Sequence, residues 1–270
     1  MSFTDDFTRA DSAAVGNGWT EGVSGSGEIL TNALKVTGNT PFEDNICYAP
    51  AGGDFQDGTV QVDFTFVNMG AGPQIYARFN AGTESGYLLF LSGTGTALTL
   101  TKLDAGVVNG TFLDTTAVTV AEGTNYRLTL TLNGNTKTGV LRNLDTATDL
   151  ATVTESADAT YTASGSTAVG AATAGSVTYD NFSSVPASSG TITTSPIKNY
   201  SGVLQASQSG WIANIYNPTT GALVVRLTAQ STDASGILTL TDPLIVASTT
   251  YRVDIDNGLG LFGNAEYTAA

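Results

Sequence analysis

The chain is built from short runs in which apolar and polar residues alternate. Val60, Val62, Phe64 and Phe66 fall on one face of an extended segment, and Gln61, Asp63 and Thr65 on the other. The same period of two sets Ile75, Ala77 and Phe79 opposite Tyr76 and Arg78, and Leu98 and Leu100 opposite Thr99 and Thr101. Leu128, Leu130 and Leu132 likewise stand opposite Arg127, Thr129 and Thr131. These patterns predict half-buried strands with solvated outer faces. Tyr87-Leu-Leu-Phe-Leu91 is apolar on both sides and predicts a central strand covered on each face. Asn17-Gly18, Asn109-Gly110, Asn133-Gly134 and Asn257-Gly258 favour the positive φ angles of tight β-turns. No stretch holds a helical repeat for more than a turn or two. The prediction is an all-β chain of packed antiparallel sheets.

Two matching segments bracket the first part of the chain. Phe3-Thr-Asp-Asp-Phe7 and Val177-Thr-Tyr-Asp-Asn-Phe182 each alternate around an acidic centre, as two paired strands with one buried face would. Their pairing closes residues 1–184 into one domain. Residues 185–195 follow, rich in Ser, Thr, Gly and Pro, and read as a linker. Over 196–270 a second rhythm begins: Trp211, Ala213 and Ile215, then Leu223, Val225 and Leu227, then Leu238 and Leu240, then Tyr251, Val253 and Ile255. Turns at Asn217–Gly221 and Thr232–Gly236 separate these runs, which predicts a small β-sandwich of five or six strands.

Composition narrows the function. Net charge is −14, from 24 acidic and 10 basic residues, and such a surface repels phosphate backbones. The chain has no histidine, which removes the ordinary general base near neutrality, a serine triad and a His-based zinc site. The single cysteine, Cys47, cannot form an intramolecular disulfide and reads as a small core residue. No basic and apolar leader precedes Phe3, and no apolar run approaches membrane-spanning length. The expectation is a protein folded in a cytosol, with no signal peptide and no membrane insertion. On that expectation the glycosylation acceptors at Asn109, Asn181 and Asn199 are chance matches.

Residues 3–184 resemble the concanavalin A-like lectin/glucanase jelly roll, in its laminin G-like branch. The resemblance is carried by Asp5-Asp-Phe-Thr-Arg-Ala-Asp11, Gly18-Trp19, the paired runs 74–79 and 86–91, Leu98-Thr-Leu-Thr-Lys102, Asn125-Tyr-Arg-Leu-Thr-Leu130 and Tyr179-Asp-Asn-Phe182. The second domain resembles the transthyretin-like or carboxypeptidase-regulatory-like sandwich, through 215–223, 232–236 and 250–254. The pairing of such domains resembles bacteriophage structural proteins. It implies a virion surface protein made in the host cytoplasm, a capsid decoration protein or fibre. Such a protein would be a homo-oligomer, such as a trimer, bound to capsid or tail lattice proteins. The alternative it implies is a lectin-like tail adhesin that binds a host glycan.

Candidate chemistry divides accordingly. Retaining glucanases of this fold carry a Glu-x-Asp-x-x-Glu strand, and this chain has no Glu-x-Asp, so no enzyme is expected. Asp5, Asp6 and Asp180, with Asn181, would converge if the bracketing strands pair, offering hard oxygen ligands to Ca²⁺. Sugars stack on aromatic faces, for which Trp19, Tyr76 and Tyr87 are the candidates, Tyr76 with its ring outward. An exposed apolar edge at Trp211 and Ile212 is the candidate particle contact.

Overall fold

The computed structural model describes residues 2–22, 27–38, 46–50, 53–66, 70, 72–108, 111–172, 175–187, 189–197, 204–246, 249–256 and 261–270. The predicted turns at Asn109-Gly110 and Asn257-Gly258, and the acceptor at Asn199, lie outside these residues. The chain divides into two compact units, Met1–Pro186 and Ala187–Ala270.

The first unit contains β1 (Phe3–Asp5), β2 (Thr20–Glu21), β3 (Gly27–Ile29), β4 (Leu34–Gly38), β5 (Ile46–Tyr48), β6 (Gly58–Thr65), β7 (Gly72–Asn80) and β8 (Ser85–Leu91). It continues with β9 (Ala97–Asp104), β10 (Val107–Val108), β11 (Asp114–Ala117), β12 (Asn125–Asn133), β13 (Thr136–Asn143), β14 (Thr148–Glu155), β15 (Ser166–Ala172) and β16 (Gly175–Pro186). Sheet A has the order β14-β13-β12-β6-β16-β4-β3, with β1 also on β16. Sheet B has the order β10-β9-β8-β7-β15-β5-β2, with β11 also on β9. The chain changes sheet at β1–β2, β2–β3, β4–β5, β5–β6, β6–β7, β11–β12, β14–β15 and β15–β16, which is the winding of a jelly-roll sandwich. The all-β expectation holds.

The bracket closes as the alternation predicts. β1 runs antiparallel to β16, with Phe3 opposite Ser184, Thr4 opposite Ser183 and Asp5 opposite Phe182. Phe3, Phe7 and Phe182 gather around Trp19, whose ring centre lies 4.9 Å from that of Phe182. Between the sheets the apolar faces of β6, β8, β9 and β12 form one core. Each fully buried Val or Leu there contributes about 1.5–3 kcal/mol. Tyr179 of β16 crosses this core, accepts the Gln74 N–H (2.9 Å) and donates to the Gly170 carbonyl, tying sheet A to the backbone of sheet B. Cys47 is buried and free, its thiol pushed up to about 12 by burial and then by Glu21.

Sheet B departs from simple alternation. Tyr87, Leu89 and Leu91 enter the central core, while Leu88 and Phe90 join a second apolar cluster on the outer face, so β8 is covered on both sides as predicted. Tyr76 is outward of the central core but fully buried in that second cluster, beside Phe79, Leu88 and Leu103. Phe79 was expected on the Ile75 and Ala77 face. A bulge shifts it: Arg78 has φ 48°, and β7 carries one extra residue between Ala77 and Asn80. Glycines make room for the bulge, since a Cβ on Gly86 or Gly165 would fall 2.8 or 2.5 Å from its backbone. Arg78 points inward instead of Phe79.

The second unit contains β17 (Ser189–Thr193), β18 (Ser209–Tyr216), β19 (Leu223–Ser231), β20 (Thr239–Val246), β21 (Thr250–Asp256) and β22 (Leu261–Thr268). A β17-β20 pair and a β19-β18-β21-β22 sheet enclose one core that includes Ile192, Trp211, Ile215, Leu240 and Val253. The segment expected to be a linker is therefore mostly ordered strand: β16 runs through Pro186, and β17 places Ile192 in the second core. Small polar residues misled here because a strand can join a core through few apolar positions, as β17 does with Ile192.

Candidate binding groove

Cross-strand register on the outer face of sheet A assembles a row of charges. Asp180 of β16 stands opposite Asp63 of β6, Asp63 opposite Arg127 of β12, Arg127 opposite Arg142 of β13, and Arg142 opposite Asp149 of β14. Arg127 grips Asp63 with two parallel hydrogen bonds, Nε to Oδ1 at 2.6 Å and Nη2 to Oδ2 at 2.9 Å. That grip, above all the hydrogen bonding to Asp63, raises the guanidinium's already high pKa. Arg142 reaches Asp149 at 2.8 Å.

A second bulge shapes this row. Asn181 has φ 47°, and the register against β6 shifts between Asp180 and Ser183, so Asn181 and Phe182 together occupy the place opposite Val62. The extra residue lets Tyr179 and Phe182 both enter the core while Asp180 and Asn181 both stay outside. Asn181 Nδ2 then donates to Asp63 Oδ2 at 3.2 Å. The Asp180 carboxyl, which accepts the Asn181 N–H (2.8 Å), is pushed up by burial and by its like-charged neighbours Asp63 and Asp6.

Asn181 stands between two cavities. One, of about 610 Å³, is bordered by Thr4, Asp6, Arg9, Asn17, Gln61 and Arg127. The other, of about 370 Å³, is bordered by Asp63, Thr65, Asn125, Asp145, Thr178 and Asp180. Their linings, which meet at Asn181, together present carboxylates, primary amides, guanidinium groups and hydroxyls. Such groups supply donors and acceptors in fixed planes, the chemistry that orients a polyol.

The wall of the larger cavity is held by Asp5. Its carboxylate accepts Arg9 Nη1 (2.8 Å) and Nη2 (3.1 Å), Asn17 Nδ2 (3.0 Å), Trp19 Nε1 (2.8 Å) and the Phe7 N–H (2.8 Å). Burial alone would raise its pKa, but these hydrogen bonds prevail and hold it below the usual value. Asn17 and Gly18 both have positive φ, as their turn signal predicts, and this aims the Asn17 amide back at Asp5.

The expected calcium ligands do not combine. Every Asp5 oxygen is already committed, Asp6 is exposed and accepts the Thr8 N–H, and Asp180 belongs to the charged row. Among the described residues no cluster of three or more His, Cys, Asp or Glu side chains could hold a metal ion. The donor set does not fit Ca²⁺, which takes six to eight oxygens.

The three proposed sugar-stacking aromatics are all interior. Trp19 packs among Phe3, Phe7 and Phe182, Tyr76 fills the outer cluster of sheet B, and Tyr87 lies in the central core with its hydroxyl 2.7 Å from Asp158 Oδ1. None presents an open ring face. Alternation read Tyr76 as outward correctly but took outward to mean solvated. Trp211 is likewise core in the second unit, and Ile212 on the opposite face is half-buried, so no exposed apolar edge forms there. Sequence reasoning missed Asp63, Arg127 and Gln61 as a site, although it placed all three on outer faces.

At the central core's margin, beneath residues 156–165, lies a second charged cluster. Arg78 reaches Asp57 at 2.8 Å, with both side chains almost fully buried, and donates to the carbonyls of Gln56, Tyr161 and Gly134. Lys102 pairs with Asp158 at 2.7 Å, and Lys137 sits over the Tyr87 ring and donates to the Asp158 carbonyl. Burial raises Asp158, but hydrogen bonds from Lys102, Tyr87 and Thr160 outweigh it and hold its carboxyl well below the usual range. These groups pair with one another, except for Asp57 Oδ2, which has no hydrogen-bond partner, and they tether the 156–165 segment through Asp158, Thr160 and Tyr161.

No protein-family model matches the chain, and no curated protein matches it in sequence. Solved structures align with part of it. Carbohydrate-binding module CBM66 from Bacillus subtilis aligns at TM-score 0.49 and 14% identity, over 62% of this chain and 95% of its own. Winged bean acidic lectin, complexed with methyl-α-D-galactose, aligns at 0.46 and 11% over 68% and 96%. Bacillus licheniformis β-glucanase aligns at 0.46 and 10% over 67% and 96%. At these scores and identities the likeness says nothing about ligand or reaction.

Proposed function

We propose that the first unit is a non-catalytic glycan-binding module, its ligand lying in the groove across β16, β6 and β12. One observation carries this reading. Asp63, Arg127 and Asn181 form a preorganised hydrogen-bonded trio between two cavities large enough for sugar rings. Arg127 spends Nε and Nη2 on Asp63 and keeps Nη1 for a ligand, while Gln61 and Asn17 offer amides from the same wall. Vicinal hydroxyls match such planar donor–acceptor pairs.

Two carboxylates across one strand pair also suggest glycoside hydrolysis, which needs one acid and one free carboxylate. The Asp180 carboxyl is raised by burial and by the like charges of Asp63 and Asp6. Its partner Asp63 accepts three hydrogen bonds from Arg127 and Asn181 and is built into the wall, which favours orientation over attack.

Screening the full-length chain on an oligosaccharide array, followed by calorimetric titration of the hits, tests the reading. Arg127→Ala and Asn181→Ala are expected to weaken binding at least about tenfold, the loss of one or two charge-assisted hydrogen bonds. Binding that survives both changes in folded protein would place the ligand elsewhere and overturn the groove.

A further inference from the structure

We propose that this groove sorts glycans by charge: it takes chains bearing free amino groups ahead of their N-acetylated counterparts and disfavours uronates. The inference rests on the glycan-binding reading above and adds the class of sugar. It comes from how ion pairing leaves the two cavities. In the larger one, the charge of Arg9 is balanced by Asp5 and that of Arg127 by Asp63. In the smaller one, Asp63, Asp145 and Asp180 contribute to the lining and no lysine or arginine does. With both guanidinium groups neutralised within the groove, Asp6, Asp145 and Asp180 remain without a cationic partner among the described residues. Asp180 and Asp145 both border the smaller cavity, which therefore presents an acidic end to one sugar ring.

A cation placed there gains and an anion loses. Two unit charges about 5 Å apart in a water-like medium change an equilibrium by roughly fourfold, and less as salt screens them. Two unpartnered carboxylates together give an expected spread of about tenfold between a protonated amine and the neutral acetamide at the same ring position. A uronate at that position is penalised by a similar factor in the other direction. The Arg127–Asp63 pair is charge-balanced and serves all three ligands alike.

The experiment is calorimetric titration of the full chain at low salt and at about pH 6, below the pKa of an ordinary amine. Tetramers of glucosamine and N-acetylglucosamine share one backbone, and a galacturonic acid tetramer supplies the anion. The expected ranking is glucosamine above N-acetylglucosamine by about tenfold, with the uronate weakest and the gap closing at high salt. Asp180→Asn and Asp145→Asn should each shrink the gap about threefold to fourfold at 1:1 stoichiometry. Glu266→Gln, an exposed site in the second unit, should leave it unchanged; an equal effect there would reduce the ranking to the diffuse pull of a −14 chain and overturn the proposal. Equal binding of all three tetramers would overturn charge sorting and leave the groove intact. Binding of none would overturn the groove as well.

Discussion

The two sheets of the first unit share one core but carry opposite outer faces. On sheet A the outward positions are Thr59, Gln61, Asp63, Thr65, Arg127, Thr129, Asp180 and Ser183, all polar, with Arg127 hydrogen-bonded to Asp63. On sheet B they include Tyr76, Leu88, Phe90 and Leu103, packed into a second apolar cluster, with the buried Thr99 and Thr101 beside them. Alternation describes only the first case. Where one face of a sheet meets solvent, a residue's place in the run gives its environment, and where both are covered it gives only a direction. The proposed groove follows from this contrast, because a polar, one-sided sheet is free to build its outer row for a ligand.

The contrast is broken most forcefully by truncation. Leu88→Ala on the outer face of sheet B should cost about 2–5 kcal/mol, as expected of a core position. Thr129→Ala on the outer face of sheet A should stay within about 0.5 kcal/mol. Urea denaturation of both variants measures the difference. Comparable small losses would mean that the outer cluster of sheet B does not behave as a core.

A smaller effect separates the two sheets' charged sites. Asp5→Ala strands the buried Trp19 Nε1–H and the Arg9 guanidinium, for an expected loss of about 2–4 kcal/mol. Linkage gives the pH signature. The carboxyls of Asp5 and Asp158 are held below their ordinary value, so each contributes stability that is present above an unfolded pKa of about 3.9. That contribution is lost as the pH falls through the folded value. Melting scans from pH 7 down to about 2 should show a steep decline below about pH 4, and the decline should be shallower in Asp5→Asn. An unchanged slope would remove Asp5 from the acid-sensitive set.

How much of this was legible depends on distance along the chain. The bracketing strands, the two-faced β8 and the turn at Asn17-Gly18 were readable because each is a local pattern. The bulges at Arg78 and Asn181 were not, since a single left-handed residue inside a strand leaves no turn signal. The bulge at Arg78 sent Phe79 to the wrong face in the sequence reading, and the one at Asn181 delivers an amide to Asp63. The burial of Tyr76 had a readable sign: Leu88 lies directly across from it, on the strand already recognised as apolar on both sides. The charged row was hidden for a different reason. Asp63, Arg127 and Asp180 lie on three strands far apart in sequence, and alternation gives the face of each residue without the register that aligns them.

The smallest test concerns that register itself. Asp180 and Asp63 are directly opposed like charges, an arrangement that costs a few tenths of a kcal/mol to about 1 kcal/mol on an exposed strand pair. Asp180→Asn keeps the acceptor for the Asn181 N–H and removes the repulsion, so it should stabilise the protein by that amount at neutral pH. The sign reverses the Asp5 case. Asp180 has a raised carboxyl pKa, so its penalty is present above the folded value and is relieved as the pH falls through it. The gain from Asp180→Asn should therefore shrink on acidification, while the wild-type protein loses the Asp5 and Asp158 contributions. A constant gain across the titration would mean that Asp180 does not feel Asp63. The charged row would then be a coincidence of register, without electrostatic coupling between Asp180 and the Asp63–Arg127 pair.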